Sequence, residues 1–503
     1  MNATFWQSKK VLITGHTGFK GSWLSLWLQS LGADVVGYAL TPPTEPSLFK
    51  IAEVDKGMKS FLGNVLDKDG LQRVIAKHQP EIVFHLAAQS LVRESYKNPV
   101  ETYATNVMGT VHLLEAVRNV SGIRVVISIT SDKCYQNREW IWGYREDEPM
   151  GGYDPYSSSK GCAELVAAAY RNSFFNKNLY DHHKVAVATA RAGNVIGGGD
   201  WAKDRLLPDI IGSLMKGEDI ILRNPHAMRP WQHVIEPLNG YLTLAEHLYQ
   251  DGADFSEGWN FGPAESWPVF QVVDQFLSLW GSYISVKHDQ NHQPHEDSYM
   301  TLDNTKARVK LGWRPALDLN TSLSWIVEWM KCFQKGANMR SVTEAQIRKH
   351  MQITQNTGVV KPRPERPLAR MAEADLLGFL YETIMIRDME GRIGYWNRGA
   401  SEMYGWTSEE AVGNISHRLL QTKFPSSLAE IEGELTAKGL WEGQLMHTKK
   451  DGSTIAVKSR WVLKQGHRNH GGKVFEINDI CHYILTASTY LHSAFCDAFV
   501  LAA

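Results

Sequence analysis

The chain has 503 residues, room for roughly two to four domains and a sizeable core. Its 53 Lys and Arg nearly balance 54 Asp and Glu; no whole-chain field gathers nucleic acid or a membrane surface, so substrate charge has to be met locally. Cys134, Cys162, Cys332, Cys481 and Cys496 are scattered and odd in number, which argues against a disulfide framework or a metal site and for a reducing cytoplasm.

In chain order, the strand-like "KKVLITG" comes so early that no signal peptide is expected, and no long apolar run predicts a membrane span. From residue 10 to about 200, short β-branched runs alternate with helical patterns. The strand candidates are "KVLIT" (10–14), "DVVGYAL" (34–40), "EIVFHLA" (81–87), "IRVVISIT" (123–130) and "KVAVATAR" (184–191). They are nearly continuous in apolar residues, as burial on both faces requires. Between the first two, Trp23, Leu24, Trp27, Leu28 and Leu31 fall on one helical face and Gly32 supplies the stop. This alternation predicts an α/β fold, a Rossmann-type doubly wound parallel sheet.

Within an expected first domain of 1–335, a core of about 8–200 is followed by a less regular part, mainly 200–335, rich in Trp, Pro and Gly. That part is expected to form a smaller substrate-binding domain. Residues 336–371 turn polar and end in "KPRPERPLAR", whose prolines predict an extended linker. Residues 372–481 offer two strands around Glu390-Gly391, a helix opened by Asn397, and a hairpin around Asp451-Gly452, an α+β module. The tail 482–503 is apolar but broken by His482, His492 and Asp497, and is expected to be a packing helix rather than a span.

Three motifs carry chemistry. In "TGHTGFKG", Gly15, Gly18 and Gly21 lie between the first strand and first helix, where glycine lets the backbone turn tightly and approach a dinucleotide pyrophosphate. Free amides at the helix N-terminus favour the same anion. The second strand ends in Gly37, Tyr38 and Ala39, without the usual acidic grip on the adenosine ribose. Tyr156 and Lys160, four apart at the start of a helix, can reach one substrate atom, and an ammonium beside a phenol favours the phenolate. The run Thr130, Ser131, Asp132, Lys133 stands at a strand end, where ligands of open α/β sheets bind. It therefore offers candidates for proton transfer, Asp132 and Lys133, in preference to the other reading of the pattern, an exposed loop pair.

With "TGHTGFKG", "HLAAQ" (85–89), Asn106, "TSDK" and "YSSSK" in that order, the first 330 or so residues resemble the extended short-chain dehydrogenase/reductase superfamily. "PPTEPSLF", "TSDKCYQN", "RAGNVIGGGDWAKDRLLPD", "RPWQHVIEPLNGY" and "KARVKLGWRP" are similar to the CDP-glucose 4,6-dehydratase family. The resemblance implies NAD as cofactor, held by Gly15, His16, Gly18, Phe19, Lys20, Gly21, Asn64, Val65, Leu86, Ala87, Ala88, Gln89 and Asn106 together with Tyr156 and Lys160. It implies a nucleotide sugar, CDP-glucose, as substrate, met by Gln89, Asn194, Arg205, Arg229 and His233. Tyr156, helped by Lys160 and by Thr130 or Ser131, would remove the proton of the 4-hydroxyl as hydride passes to NAD. Asp132 would then protonate the departing 6-hydroxyl. Lys133 takes the place of a glutamate base in dTDP-glucose relatives; it has to be neutral to act as base, and otherwise it steadies the enolate. Likeness also implies a homodimer or homotetramer.

The C-terminal module, with "IMIRDMEGRIGYWNRGASEMYGWTSEEAVG" and "KKDGSTIAV", looks like a PAS domain. Such a domain could take a small ligand or partner, and no output segment is expected in the stretch after it. His417 is read as a structural histidine rather than a haem ligand, and Trp396, Trp406, Trp441 and Trp461 as core or dimer contacts. The rival reading of the whole chain is a sensory or scaffold protein that keeps the dinucleotide fold as a binding module; a dehydratase or epimerase for another nucleotide sugar is a further alternative.

Overall fold

A computed structural model describes residues 2–140, 142–263, 265–282, 284–289, 297–356, 383–464 and 473–480. The tail 482–503 and the proline-rich half of the expected linker lie outside the described residues. The chain divides into two compact units, Met1–Pro362 and Arg363–Ala503.

The first unit is built on seven parallel strands: β1 Lys10–Thr14, β2 Asp34–Ala39, β3 Lys59–Leu62, β4 Ile82–His85, β5 Val125–Ile129, β6 Ala186–Ala192 and a seventh, Gly258–Phe261. Their spatial order is seventh, β6, β5, β4, β1, β2, β3. The order reverses between β4 and β1, and the crevice at the carboxyl ends there is the expected ligand seat of a doubly wound sheet. Alternation along β1 sends Val11 and Ile13 into the core that holds Trp23 and Trp27, and Leu12 into the opposite core with Val36, Val83 and Val126.

Two strands escape sequence reading. β3, "KSFL", is a short edge strand that is mostly exposed, so it has no apolar run to find. The seventh, "GWNF", is fully buried but lies within the segment assigned to the substrate part. It pairs with β6, so the core sheet is not confined to residues 8–200.

The linker expectation for 336–371 needs correction, because Met339–Asn356 is a helix docked on the first unit. Met339, Thr343, Gln346, Ile347 and His350 are buried at helical spacing. Trp329 Nε1 donates to Thr343 Oγ1 at 3.0 Å, and Arg340 donates to Gln29 and the Glu53 carbonyl. The polar composition that suggested a linker stands on both faces of the helix, since Thr343, Gln346 and His350 are polar and buried.

In the second unit, five antiparallel strands lie in the order Ile393–Trp396, Thr383–Asp388, Lys473–Ile480, Thr454–Lys464, Leu440–Thr448. Gly391 and Gly452 take φ of 84° in the two turns, which glycine adopts without strain. Asn397 Oδ1 accepts from the Ala400 amide and caps the following helix. Trp396, Trp441 and Trp461 fill its core, and His417 packs by Phe424. Among the described residues, no helix is long and apolar enough to cross a membrane, and no cluster of side chains could hold a metal ion.

Candidate active site

The helix Phe19–Ser30 (α1) begins at Gly18 with no side chain capping it, leaving its first-turn amides open to an anion. Gly15 has φ +79°, and a Cβ there would stand 2.7 Å from the Ala87 nitrogen; one on Gly21 would stand 2.2 Å from the Gly15 carbonyl oxygen. The turn therefore requires glycine, and it lies against Leu86 and Ala87 just beyond β4. These features fit a dinucleotide pyrophosphate.

The adenosine side is built differently. His16 is fully buried, bonded to Ser60 at 2.7 Å, and its ring lies where a Cβ on Gly37 would meet it at 2.4 Å. Burial pushes its pKa down to about 4, so it is neutral. Asn64 turns onto its own loop, its side chain accepting from the Leu66 amide and its carbonyl from the Tyr38 hydroxyl; Val65 is buried beside it. Lys20, half-buried in the glycine turn next to Phe19, is pushed down to about 7 by burial and by the nearby charges of Arg205 and Lys160.

Asn106 occupies a single π-helical turn, Ala104–Met108, an irregularity that re-aims one side chain. It accepts from the Gln89 amide at 2.9 Å and donates to the Gln89 carbonyl and to Ser159 Oγ. It thus ties the loop of Ala88 and Gln89 to the helix that carries Tyr156. The Gln89 side chain is engaged with Leu91 and Thr102.

That helix is Pro155–Ser173, opened by Asp154, which accepts from the Ser157 amide. Tyr156 and Lys160 are both buried. Lys160 Nζ donates to the Ile129 carbonyl at 3.3 Å, and burial lowers its pKa to about 8. The phenol of Tyr156 is pushed up to about 12 by burial, against a hydrogen bond with Ser131 that favours ionisation. In the free protein, desolvation therefore outweighs both this bond and the nearby charge of Arg205, the cation that favours the phenolate here.

At the end of β5, Thr130 departs from expectation. Its hydroxyl donates to Glu164 at 2.5 Å, so it faces the core and not Tyr156. Ser131 does face the site, donating to Asp132 Oδ1 at 2.9 Å. Asp132 is buried, its Oδ2 has no hydrogen-bond partner, and burial raises its pKa despite Lys133, Ser131 and Arg229. Such a carboxyl can carry a proton. Lys133 is no exposed loop residue; its ammonium is ion-paired with Asp297.

Of the substrate candidates, Arg229 is buried and donates to the carbonyls of Asp297 and Met228. Arg205 bonds Asp200 at 2.9 Å and Ser90 at 3.0 Å. Asn194 opens a short strand paired with Trp231–His233. His233 has to be withdrawn: it is fully buried, with Trp23 and Trp325 each 5.7 Å from its ring, and burial drives its pKa down to about 3.

Sequence reading missed Glu164 and Arg191. Glu164, one turn beyond Lys160, accepts from Thr130, Thr189 and two nitrogens of Arg191, all buried. Burial alone would raise its pKa, but Arg191 and these donors hold it below the usual value. A cleft of about 430 Å³ borders this pair, but Tyr156 and Asp132 do not line it. Changing Glu164 to alanine strands a buried guanidinium and is expected to cost about 3–5 kcal/mol. Chemical denaturation should register that loss; a variant as stable as the parent would refute it.

Residues 12–324 match the family model GDP-mannose 4,6 dehydratase, and residues 382–480 match the PAS domain model. The chain is 56% identical to CDP-glucose 4,6-dehydratase of Salmonella typhimurium, across 70% of this chain and 99% of that protein. It is 29% identical to a dTDP-glucose 4,6-dehydratase of Streptomyces griseus, across 63% and 93%. Among solved structures, the dTDP-glucose 4,6-dehydratase of Streptomyces venezuelae with NAD and TYD bound gives a TM-score of 0.57 at 23% identity, covering 65% of this chain and 98% of that one. UDP-glucose 4-epimerase of Thermotoga maritima gives 0.56 at 22%, covering 64% and 99%.

Proposed function

The chain belongs to the GDP-mannose 4,6 dehydratase family, and on that premise we propose that it is an NAD-dependent hydro-lyase converting CDP-glucose to CDP-4-keto-6-deoxyglucose in the cytoplasm. The near full-length match to a CDP-glucose 4,6-dehydratase supports this choice of substrate. The observation that carries the reaction class is Asp132, a buried carboxyl with one unpartnered oxygen beside Ser131 and Tyr156. An epimerase eliminates no water and has no use for such an acid, and a pure cofactor sensor has still less.

The uncapped glycine turn would hold the pyrophosphate, with Leu86 and Ala87 alongside. NAD, when bound, supplies a reversible two-electron acceptor and a positively charged ring. Tyr156 takes the proton of the sugar 4-hydroxyl, with Ser131 bonded to its phenol and Lys160 one turn away. The resulting 4-ketone acidifies carbon 5. Asp132 delivers its proton to the 6-oxygen, which departs as water. The proton on carbon 5 goes to Lys133, which accepts it only after its ammonium, paired with Asp297, has lost one. The hydride removed from carbon 4 would return to carbon 6 and a proton to carbon 5, giving the 4-keto-6-deoxy sugar with no net oxidation. Arg229 and Arg205 would meet the diphosphate. The PAS module tethers, dimerises or modulates this unit, which works as a homodimer or homotetramer.

Full-length protein with NAD should turn over CDP-glucose well ahead of dTDP- and GDP-glucose, read as alkali-induced absorbance of the keto sugar. No turnover of any of the three, with NAD bound, would refute the proposal.

A further inference from the structure

Lys133 is not left to solvent. Its Nζ is ion-paired with Asp297, 164 residues further along the chain, and both side chains are largely buried. Asp297 is itself held. Its main-chain carbonyl accepts from Arg229 and its carboxylate is bonded by Asn137. Among the described residues, the charged groups near the pair include Asp132 on Lys133's own segment, Arg229 on the strand Met228–Arg229 and Glu139, bonded to the Ser298 amide, with the Tyr144 phenol nearby. Burial alone would raise the Asp297 carboxyl, but Lys133, Asn137 and Arg229 hold it below the ordinary carboxylate value, so it is ionised.

Resting on the dehydratase reading above, we propose that Asp297 is the positioning residue of Lys133, holding its amine at the strand end as base toward carbon 5. Charge logic gives the sign. A carboxylate against an ammonium favours the protonated form, and only the neutral amine takes a proton from carbon; the ammonium's own proton passes to water as the pH rises through its ionisation. Asp297 therefore orients the amine while favouring its charged form. A residue with a purely structural role would lower the rate equally at every pH. One that sets the charge of its partner moves the pH profile instead.

The experiment measures exchange of the carbon-5 proton with deuterated solvent against pH, using the full chain with NAD and CDP-glucose. In Asp297→Asn, and in the smaller Asp297→Ser should the asparagine variant fold poorly, the rising limb is expected to move down by about one pH unit, a tenfold change in the ionisation constant. Asp297→Glu should restore it, and Lys133→Arg should abolish it. A limb that stays in place in the neutral variants, or one that survives in Lys133→Arg, overturns the assignment. The parent protein separates the two levels of the argument: if it does not turn over CDP-glucose, the proposed function fails; if it does and the limb is unmoved, only the role of Asp297 fails.

Discussion

Replacing Tyr156 with phenylalanine is expected to lower kcat by about 10²- to 10⁴-fold, the usual contribution of a positioned acid or base. The ring is buried at the start of Pro155–Ser173 and its hydroxyl is bonded to Ser131. Phenylalanine keeps the volume and removes only the atom that accepts the 4-hydroxyl proton. In the free protein burial holds the phenol up at about 12, so the reactive phenolate is scarce at neutral pH until ligands change the local charge. The parent's rate should accordingly rise with pH over the neutral range, and that dependence should vanish in the variant. Steady-state and single-turnover kinetics on CDP-glucose measure both. A variant retaining more than about a tenth of the rate would remove Tyr156 from the reaction.

Asp132→Asn should separate the two halves of the chemistry. Asparagine donates a hydrogen bond but cannot deliver a proton, so water elimination is expected to fall by about 10²- to 10⁴-fold. Oxidation at carbon 4 and loss of the carbon-5 proton do not need Asp132. Substrate recovered from deuterated solvent should therefore carry deuterium at carbon 5 while keto-deoxy product is nearly absent. The pH dependence has a definite sign. A general acid works only when protonated, so activity falls as pH rises through its pKa, and burial, by raising that pKa, carries the active window upward. The alkaline fall due to this group should be missing from the residual activity of Asp132→Asn. If product formation and carbon-5 exchange drop together, Asp132 has some other role.

The glycine turn, the Tyr156–Lys160 pair and the five inner strands could be read because each is a local pattern. Gly15 and Gly21 are written where a side chain would strike backbone 2.7 and 2.2 Å away. Tyr156 and Lys160 share a helical face because the helix repeats every 3.6 residues. β5 is uniformly buried and its apolar run says so. His233 misled for the converse reason: a resemblance offers it as a substrate contact, yet the chain folds it between two tryptophans. The polar stretch from 339 to 356 misled because Thr343, Gln346 and His350 are polar and yet buried.

By itself the sequence determined the parallel sheet, a ligand crevice at its strand ends, the hairpin of the second module, and the presence near β5 of an acid with a basic neighbour. Only tertiary structure decided which way those side chains turn and what charge they keep. Thr130 turns away to Glu164, Asp132 is left with a bare oxygen, and Lys133 meets Asp297 across 164 residues. The reason is physical: periodicity and turn chemistry act over a few residues, whereas desolvation and ion pairing depend on which distant segments the folded core brings together.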